Sequence, residues 1–126
     1  MKETMQRLSK REWDLMGVCW KKKKLTVNDV IDNSPDENKR NYQTVKSQLE
    51  VLIKKDYLYR EKFGPLWLYS PKITPKDAII NEIDYFICNI ANDYLFPIFI
   101  HLVNTKKIKP DELKELKKII NDMPDD

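Results

Sequence analysis

The sequence predicts a mainly α-helical chain with one small β-hairpin. Three observations carry that prediction. Along most of the 126 residues, apolar side chains recur at helical spacing between recognisable caps. Only Tyr57 to Tyr69 switches to β-type residues, around a Gly-Pro turn. The whole chain holds two glycines, too few for a loop-rich architecture.

Ser9 followed by Glu12 has capping-box spacing and starts a first helix, with Trp13, Met16 and Trp20 on one face. Its end, Lys21 to Lys24, suits the negative end of the helix dipole and suits solvent equally. Thr26 caps a short second helix whose stripe is Val27, Val30 and Ile31 and which stops near Pro35. A third helix, capped by Asn41, buries Val45, Leu49, Leu52 and Ile53 and shows Gln43, Lys46, Ser47, Glu50 and Lys54 on its other side. The hairpin follows as Tyr57 to Lys62, a Phe63-Gly64-Pro65 turn, and Leu66 to Tyr69.

Beyond Pro75 come three more helices, with stripes Ile79, Ile83, Phe86, Ile87, Ile90, then Leu95, Phe99, Leu102, then Leu113, Leu116, Ile120. A segment of about fifty residues can barely enclose a core alone, so burial against a second copy is expected. The candidate dimer contacts are Ile83, Phe86, Ile87, Leu95, Phe99, Leu102, Leu113, Leu116 and Ile120. No internal repeat is present.

Three helices and a hairpin, in that order, make a winged helix-turn-helix, whose third helix enters the major groove of DNA. The chain therefore reads as a winged helix in residues 1–72 and a three-helix dimerisation segment in residues 73–126. Charge divides at the same place: 16 Lys and Arg against 10 Asp and Glu before it, net +6, and 7 against 10 after it, net −3. The first part can meet a polyanion; the second is ill suited to one. Candidate DNA contacts are Asn41, Gln43, Thr44, Lys46, Ser47 and Lys54 on the third helix, with Arg60 and Lys62 on the hairpin touching phosphates. The implied partners are a double-stranded operator and a second copy of the chain. The alternative is a protein-interaction adaptor that uses a winged helix without DNA, and salt dependence separates the two.

Other classes lack support. Cys19 and Cys88 are too few and too far apart for a disulfide framework, which fits a reducing cytoplasm. The longest apolar run, Leu95 to Leu102, contains Pro97 and His101 and is too short to span a bilayer, and no signal-peptide centre is present. The lysine run has no neighbouring exposed apolar face with which to lie on a membrane. One histidine rules out multi-histidine sites, no Gly-rich loop can cradle a phosphate, and no nucleophile setting is recognisable, so neither an enzyme nor a cofactor is expected. Cys19, Cys88 and His101 are scattered singles, and no metal is assigned.

Certain residues carry a specific resemblance. The series Ser9-x-x-Glu12-Trp13-x-x-Met16, Thr44-Val45-Lys46-x-x-Leu49-x-x-Leu52-x-Lys54-Lys55 and Gly64-x-x-Trp67-x-Tyr69-x-Pro71, with Pro110-Asp111-Glu112-Leu113-x-Glu115-Leu116 later, resembles the penicillinase-repressor (BlaI/MecI/CopY) family from Met5 to Asn121. The resemblance implies a homodimeric repressor on an inverted-repeat operator of a β-lactam-resistance or related operon. It also implies control by a sensor-linked protease that cuts the helix corresponding to Leu95 to Asn104, the matched bond being His101-Leu102. Resistance-type relatives have Asn-Phe at that bond. Arg40 replaces the family's aromatic before the third helix, Gln48 and Val51 replace an apolar residue and an arginine, and Pro65 replaces a basic wing residue. The end of the chain, Asn121 to Asp126, lacks the cysteines of the copper-responsive branch, which excludes copper sensing of that type.

Overall fold

A computed structural model describes residues 6–124, so Met5 and the outermost ends of both expected domains lie outside the described residues. The elements are α1 (Lys10–Lys22), α2 (Val27–Asp32), a 3-10 turn (Asp36–Asn38), α3 (Tyr42–Lys54), β1 (Leu58–Phe63), β2 (Leu66–Pro71), α4 (Pro75–Asn89), α5 (Leu95–Asn104) and α6 (Pro110–Asn121). This is the mainly α winged helix-turn-helix, with three following helices, that the sequence predicts.

Local chemistry starts each element. In α1 the Ser9 hydroxyl accepts from Glu12 N–H at 3.1 Å, while the Glu12 carboxylate accepts from Ser9 N–H at 2.8 Å. Thr26 and Asp29 make the same reciprocal pair at α2. Asn41 Oδ1 accepts from Thr44 N–H at 2.9 Å, and Thr74 Oγ1 accepts from Asp77 N–H at 3.1 Å. Pro75 and Pro110 open α4 and α6, and Pro97 sits in the first turn of α5, where its missing N–H costs nothing.

Two helix ends carry no glycine signal. After α3, Asp56 takes φ 67° while Tyr57 N–H donates to Leu52 C=O and Asp56 N–H to Ile53 C=O. After α5, Lys106 takes φ 58° with the same paired bonds to Leu102 and Val103. Both are Schellman ends built on residues that pay for a left-handed backbone.

Several details differ from expectation. The buried face of α1 is Leu15, Met16 and Cys19, with Trp13 and Trp20 half-buried at its margins, because the smaller side chains fit the close approach to the core. Phe63 belongs to β1 and Tyr57 precedes it; the register Phe63↔Leu66 leaves the two-residue turn Gly64-Pro65. Gly64 supplies the positive φ of 61° that the first turn position needs, and the proline ring suits the second. Ile90 lies past the end of α4. Leu25, unremarkable in sequence, exchanges both backbone bonds with Tyr69 at 3.0 and 2.7 Å, a single-residue bridge onto β2 of the two-stranded hairpin.

The chain forms two compact units, one reaching Tyr85 and one from Phe86 onward. The first has a continuous core from Leu8 through Leu15, Leu25, Val45 and Tyr69 to Ala78. Lys55 reaches from the end of α3 to the Arg7 carbonyl and the Glu12 carboxylate, and Trp20 Nε1 donates to the Ile73 carbonyl. The first half of α4 belongs to this unit because Ala78 is buried in its core and Glu82 accepts from Arg7 at 2.5 Å. In the second unit Ala91 is buried, while Ile98, Phe99, Val103, Leu113 and Leu116 are half-buried. Among the described residues, no helix is long and apolar enough to cross a membrane.

Candidate nucleic-acid interface

The buried stripe Val45, Leu49 and Leu52 fixes which side of α3 meets solvent. Gln43, Ser47 and Lys54 are exposed; Thr44 and Lys46 are half-buried. Asn41 serves as the cap, so one of its side-chain oxygen's bonds is already spent. Val51 and Tyr42 are also exposed on α3, beyond the residues that its polar pattern singles out.

The wing is tied to α3 through Glu50, which accepts from Tyr69 Oη at 3.1 Å and pairs with Arg60. Burial pushes the Tyr69 hydroxyl above its ordinary pKa, so it stays protonated as a donor. Arg60 also lies 4.3 Å over the Trp67 ring, and Lys62 Nζ lies 4.8 Å from the same centroid. Arg60 is thus held by an anion and an aromatic, whereas among the described residues Lys62 has only the ring.

Ion pairs occupy other cations of this unit: Lys55 with Glu12, Lys24 with Glu61, Lys72 with Asp56 and Lys39 with Asp36. Among the described residues, Lys46, Lys54 and Lys62 have no carboxylate in ion-pair range, which leaves them available to phosphates. Between α2, α3 and the wing lies a recess of about 210 Å³, lined by Asn28, Tyr42, Lys46, Leu66 and Trp67. Tyr42 and Trp67 could have been suspected as the residue after the α3 cap and the aromatic at the wing, but only the fold brings them together.

The other candidate residues fall on α4, α5 and α6. Ile83, Phe86, Leu95, Leu102 and Ile120 are exposed within the single chain, and Ile87, Phe99, Leu113 and Leu116 are half-buried. Phe99 shares an apolar recess of about 320 Å³ with Leu113, Leu116 and Ile120, so part of its surface already faces its own α6. Phe96, Ile100 and Ile119 are exposed too, and they lie outside the three stripes read from the sequence. His101 is exposed within α5, and the carbonyls of His101 and Leu102 both accept backbone bonds. Burial lifts the Cys19 thiol to about 12, which makes it an inert apolar group. No cluster of three or more His, Cys, Asp or Glu among the described residues is arranged for a metal.

Known proteins resemble the chain over most of its length. A family model described as penicillinase repressor matches residues 8–122. The penicillinase repressor of Bacillus licheniformis is 27% identical over 115 residues, 91% of this chain and 90% of that protein. The methicillin resistance regulatory protein MecI of Staphylococcus aureus is 23% identical over 114 residues, 90% and 93% of the two chains. Among solved structures, the DNA-binding domain of the repressor BlaI superposes with TM-score 0.51 at 32% identity, covering 61% of this chain and 93% of that one. The monomeric Bacillus licheniformis BlaI in complex with the blaP half-operator gives 0.50 at 31% identity, with the same coverage.

Proposed function

The chain belongs to the penicillinase-repressor family, a family of DNA-binding transcriptional repressors, and from that footing we propose how it acts. It represses as a homodimer, each winged helix placing α3 in the major groove over one half of an inverted-repeat operator. Residues 1–72 read the DNA and residues 73–126 hold the dimer. The BlaI complex with a half-operator supports one winged helix per half-site.

The observation that carries this reading is the polar face of α3: Gln43, Ser47 and Lys54 are exposed, and among the described residues Lys46 and Lys54 have no ion-pair partner. Thr44 and the rest of the Asn41 side chain complete the surface at the start of the helix. Lys62 supplies a phosphate contact, while Arg60 reaches phosphate only in competition with Glu50. Dimer contacts are Ile83, Phe86, Ile87, Leu95, Phe99, Leu102, Leu113, Leu116 and Ile120. A sensor-controlled protease cutting at His101-Leu102 would weaken operator binding by removing the second half-site. Because that bond lies in α5, the helix must unwind locally to enter a protease cleft.

The test uses operators selected by the full-length chain from a random duplex pool. Binding should weaken steeply with salt, because phosphate contacts release counterions. Lys46→Ala with Ser47→Ala should cost ~1–3 kcal/mol of specific affinity for each lost base contact. Folding stability should change by about 0.5 kcal/mol or less per exposed substitution. Wild-type affinity in the double variant would remove α3 as the reader. A chain that ignores every duplex at low salt would restore the adaptor reading.

A further inference from the structure

The segment that precedes α1 joins the end of α3 to α4. The Gln6 carbonyl accepts from the Tyr57 hydroxyl at 3.0 Å, and the Arg7 carbonyl accepts from Lys55 Nζ at 2.9 Å, just past the last turn of α3. The same ammonium reaches Glu12 Oε1 at 2.8 Å, and Leu8 is buried in the core, so the backbone around Arg7 is held firmly. The Arg7 side chain turns to α4 instead. Its Nε and Nη2 converge on Glu82 Oε1 at 3.1 and 2.5 Å, and its guanidinium carbon lies 4.4 Å from the centroid of the Tyr85 ring.

Spacing decides which side of α4 is gripped. Ala78, Glu82 and Tyr85 fall at i, i+4 and i+7 and share one face. Ile79 and Ile83, about 100° round the helix, are 49% and 48% exposed, and Ile80 is exposed as well. All of these residues precede the boundary after Tyr85, so one compact unit carries both α3 and Ile83, a proposed dimer contact.

An ion pair as exposed as this one, 47% and 28% at its two side chains, adds little to folding stability. Its value is directional. The Trp20 bond to the Ile73 carbonyl and the burial of Ala78 fix only the start of α4, and a rod held near one end can pivot. Arg7 holds the same helix about 6 and 10 Å further along, at Glu82 and Tyr85.

We propose, building on the homodimeric reading of an inverted repeat, that Arg7 is a positioning residue for operator recognition. By clamping α4 to the winged helix it fixes the angle between α3 and the dimer contact, and with it the half-site spacing that the dimer accepts. Arg7 itself touches no DNA. Two base pairs added between half-sites turn one against the other by about 70°. Clamped heads cannot follow that rotation, whereas hinged heads can.

The test measures the full-length chain on three duplexes: a single half-site, the selected inverted repeat, and the same repeat with two base pairs inserted at its centre. The wild type should bind the lengthened repeat at least ~10-fold more weakly than the selected one. Arg7→Ala should narrow that ratio to about threefold or less, with half-site affinity, dimer mass in sedimentation and thermal midpoint little changed. Arg7→Lys, which keeps a cation beside Glu82 and Tyr85, should recover most of the discrimination. A wild type indifferent to the insertion, or an Arg7→Ala chain that keeps the full ratio, would overturn the proposal. So would Arg7→Ala binding the single half-site ~10-fold more weakly, since Arg7 would then belong to the reading surface. A wild type that binds no half-site, or sediments as a monomer, would instead remove the homodimeric reading and the proposal with it.

Discussion

Leu49 in α3 is fully buried within its own chain, whereas Leu102 in α5, the same residue type, is 37% exposed. That contrast runs through both units. Up to Tyr85, three helices and the hairpin close around one core, and the apolar stripe of each finds a partner in the same chain. From Phe86 onward the helices are richer in large apolar residues, yet Phe96, Ile100, Leu102 and Ile120 stay exposed. A helix that is apolar on every side is normally enclosed. The difference teaches that apolar content does not measure self-sufficiency: a short helical segment lacks the volume to surround its own side chains. The first unit should fold as a monomer, and the second should depend on chain concentration.

The largest effect should come from placing charge on the exposed apolar surface. Phe86→Asp with Leu102→Asp leaves packing up to Tyr85 intact but puts two carboxylates into the proposed dimer contact, at a cost of several kcal/mol. Sedimentation should show monomers whose winged helix remains folded, with operator affinity reduced at least ~10-fold. A dimer that persisted would mean the copies meet through another face. Phe99→Asp should behave differently, loosening α5 from α6 as well, because Phe99 already faces Leu113 and Leu116.

Acid should act on the first unit through Glu12. Burial alone would raise its carboxyl, but hydrogen bonds from Lys55 and from Ser9 outweigh that and hold the folded value below the ordinary 4.5. A lowered folded value means that the stabilisation is fully present above about 4.5 and is lost as pH falls through the lowered value. Glu12→Gln should cost about 1–2 kcal/mol at neutral pH and flatten the acid limb of the stability curve. An acid limb unchanged in this variant would place the sensitivity elsewhere.

The smallest effects should be gains. Asp56→Gly and Lys106→Gly each relieve a left-handed backbone and should stabilise by about 1 kcal/mol or less. The exposed Asp56–Lys72 pair that the first variant loses offsets little of this. Thermal midpoints that rise with Asp56→Gly at any concentration, but with Lys106→Gly in a concentration-dependent transition, would sharpen the division between the units. Equal, concentration-independent shifts would argue against it.

Much of the outward face of α3 was legible in advance, and the reason is local. The Asn41 cap and the Val45, Leu49, Leu52 stripe together fix which side of α3 faces outward, so Gln43, Ser47 and Lys54 could be placed from neighbouring residues alone. The pairing of Arg60 with Glu50, and the recess that joins Tyr42 to Trp67, could not. Those partners sit on different elements, and no periodicity relates them.

By itself the sequence determined the caps at Ser9, Thr26 and Asn41, a hairpin turn around Gly64, the element order and the charge division, because each depends on residues a few positions apart. Tertiary structure alone decided that Leu15 and Cys19, and not the two tryptophans, occupy the centre of the α1 face, and that Leu25 bridges onto β2. It also decided that Asp56 and Lys106 hold left-handed helix ends without glycine, and that Ser70 is buried beside three lysines. These outcomes rest on packing between distant segments, where shape and the satisfaction of backbone groups override local preference.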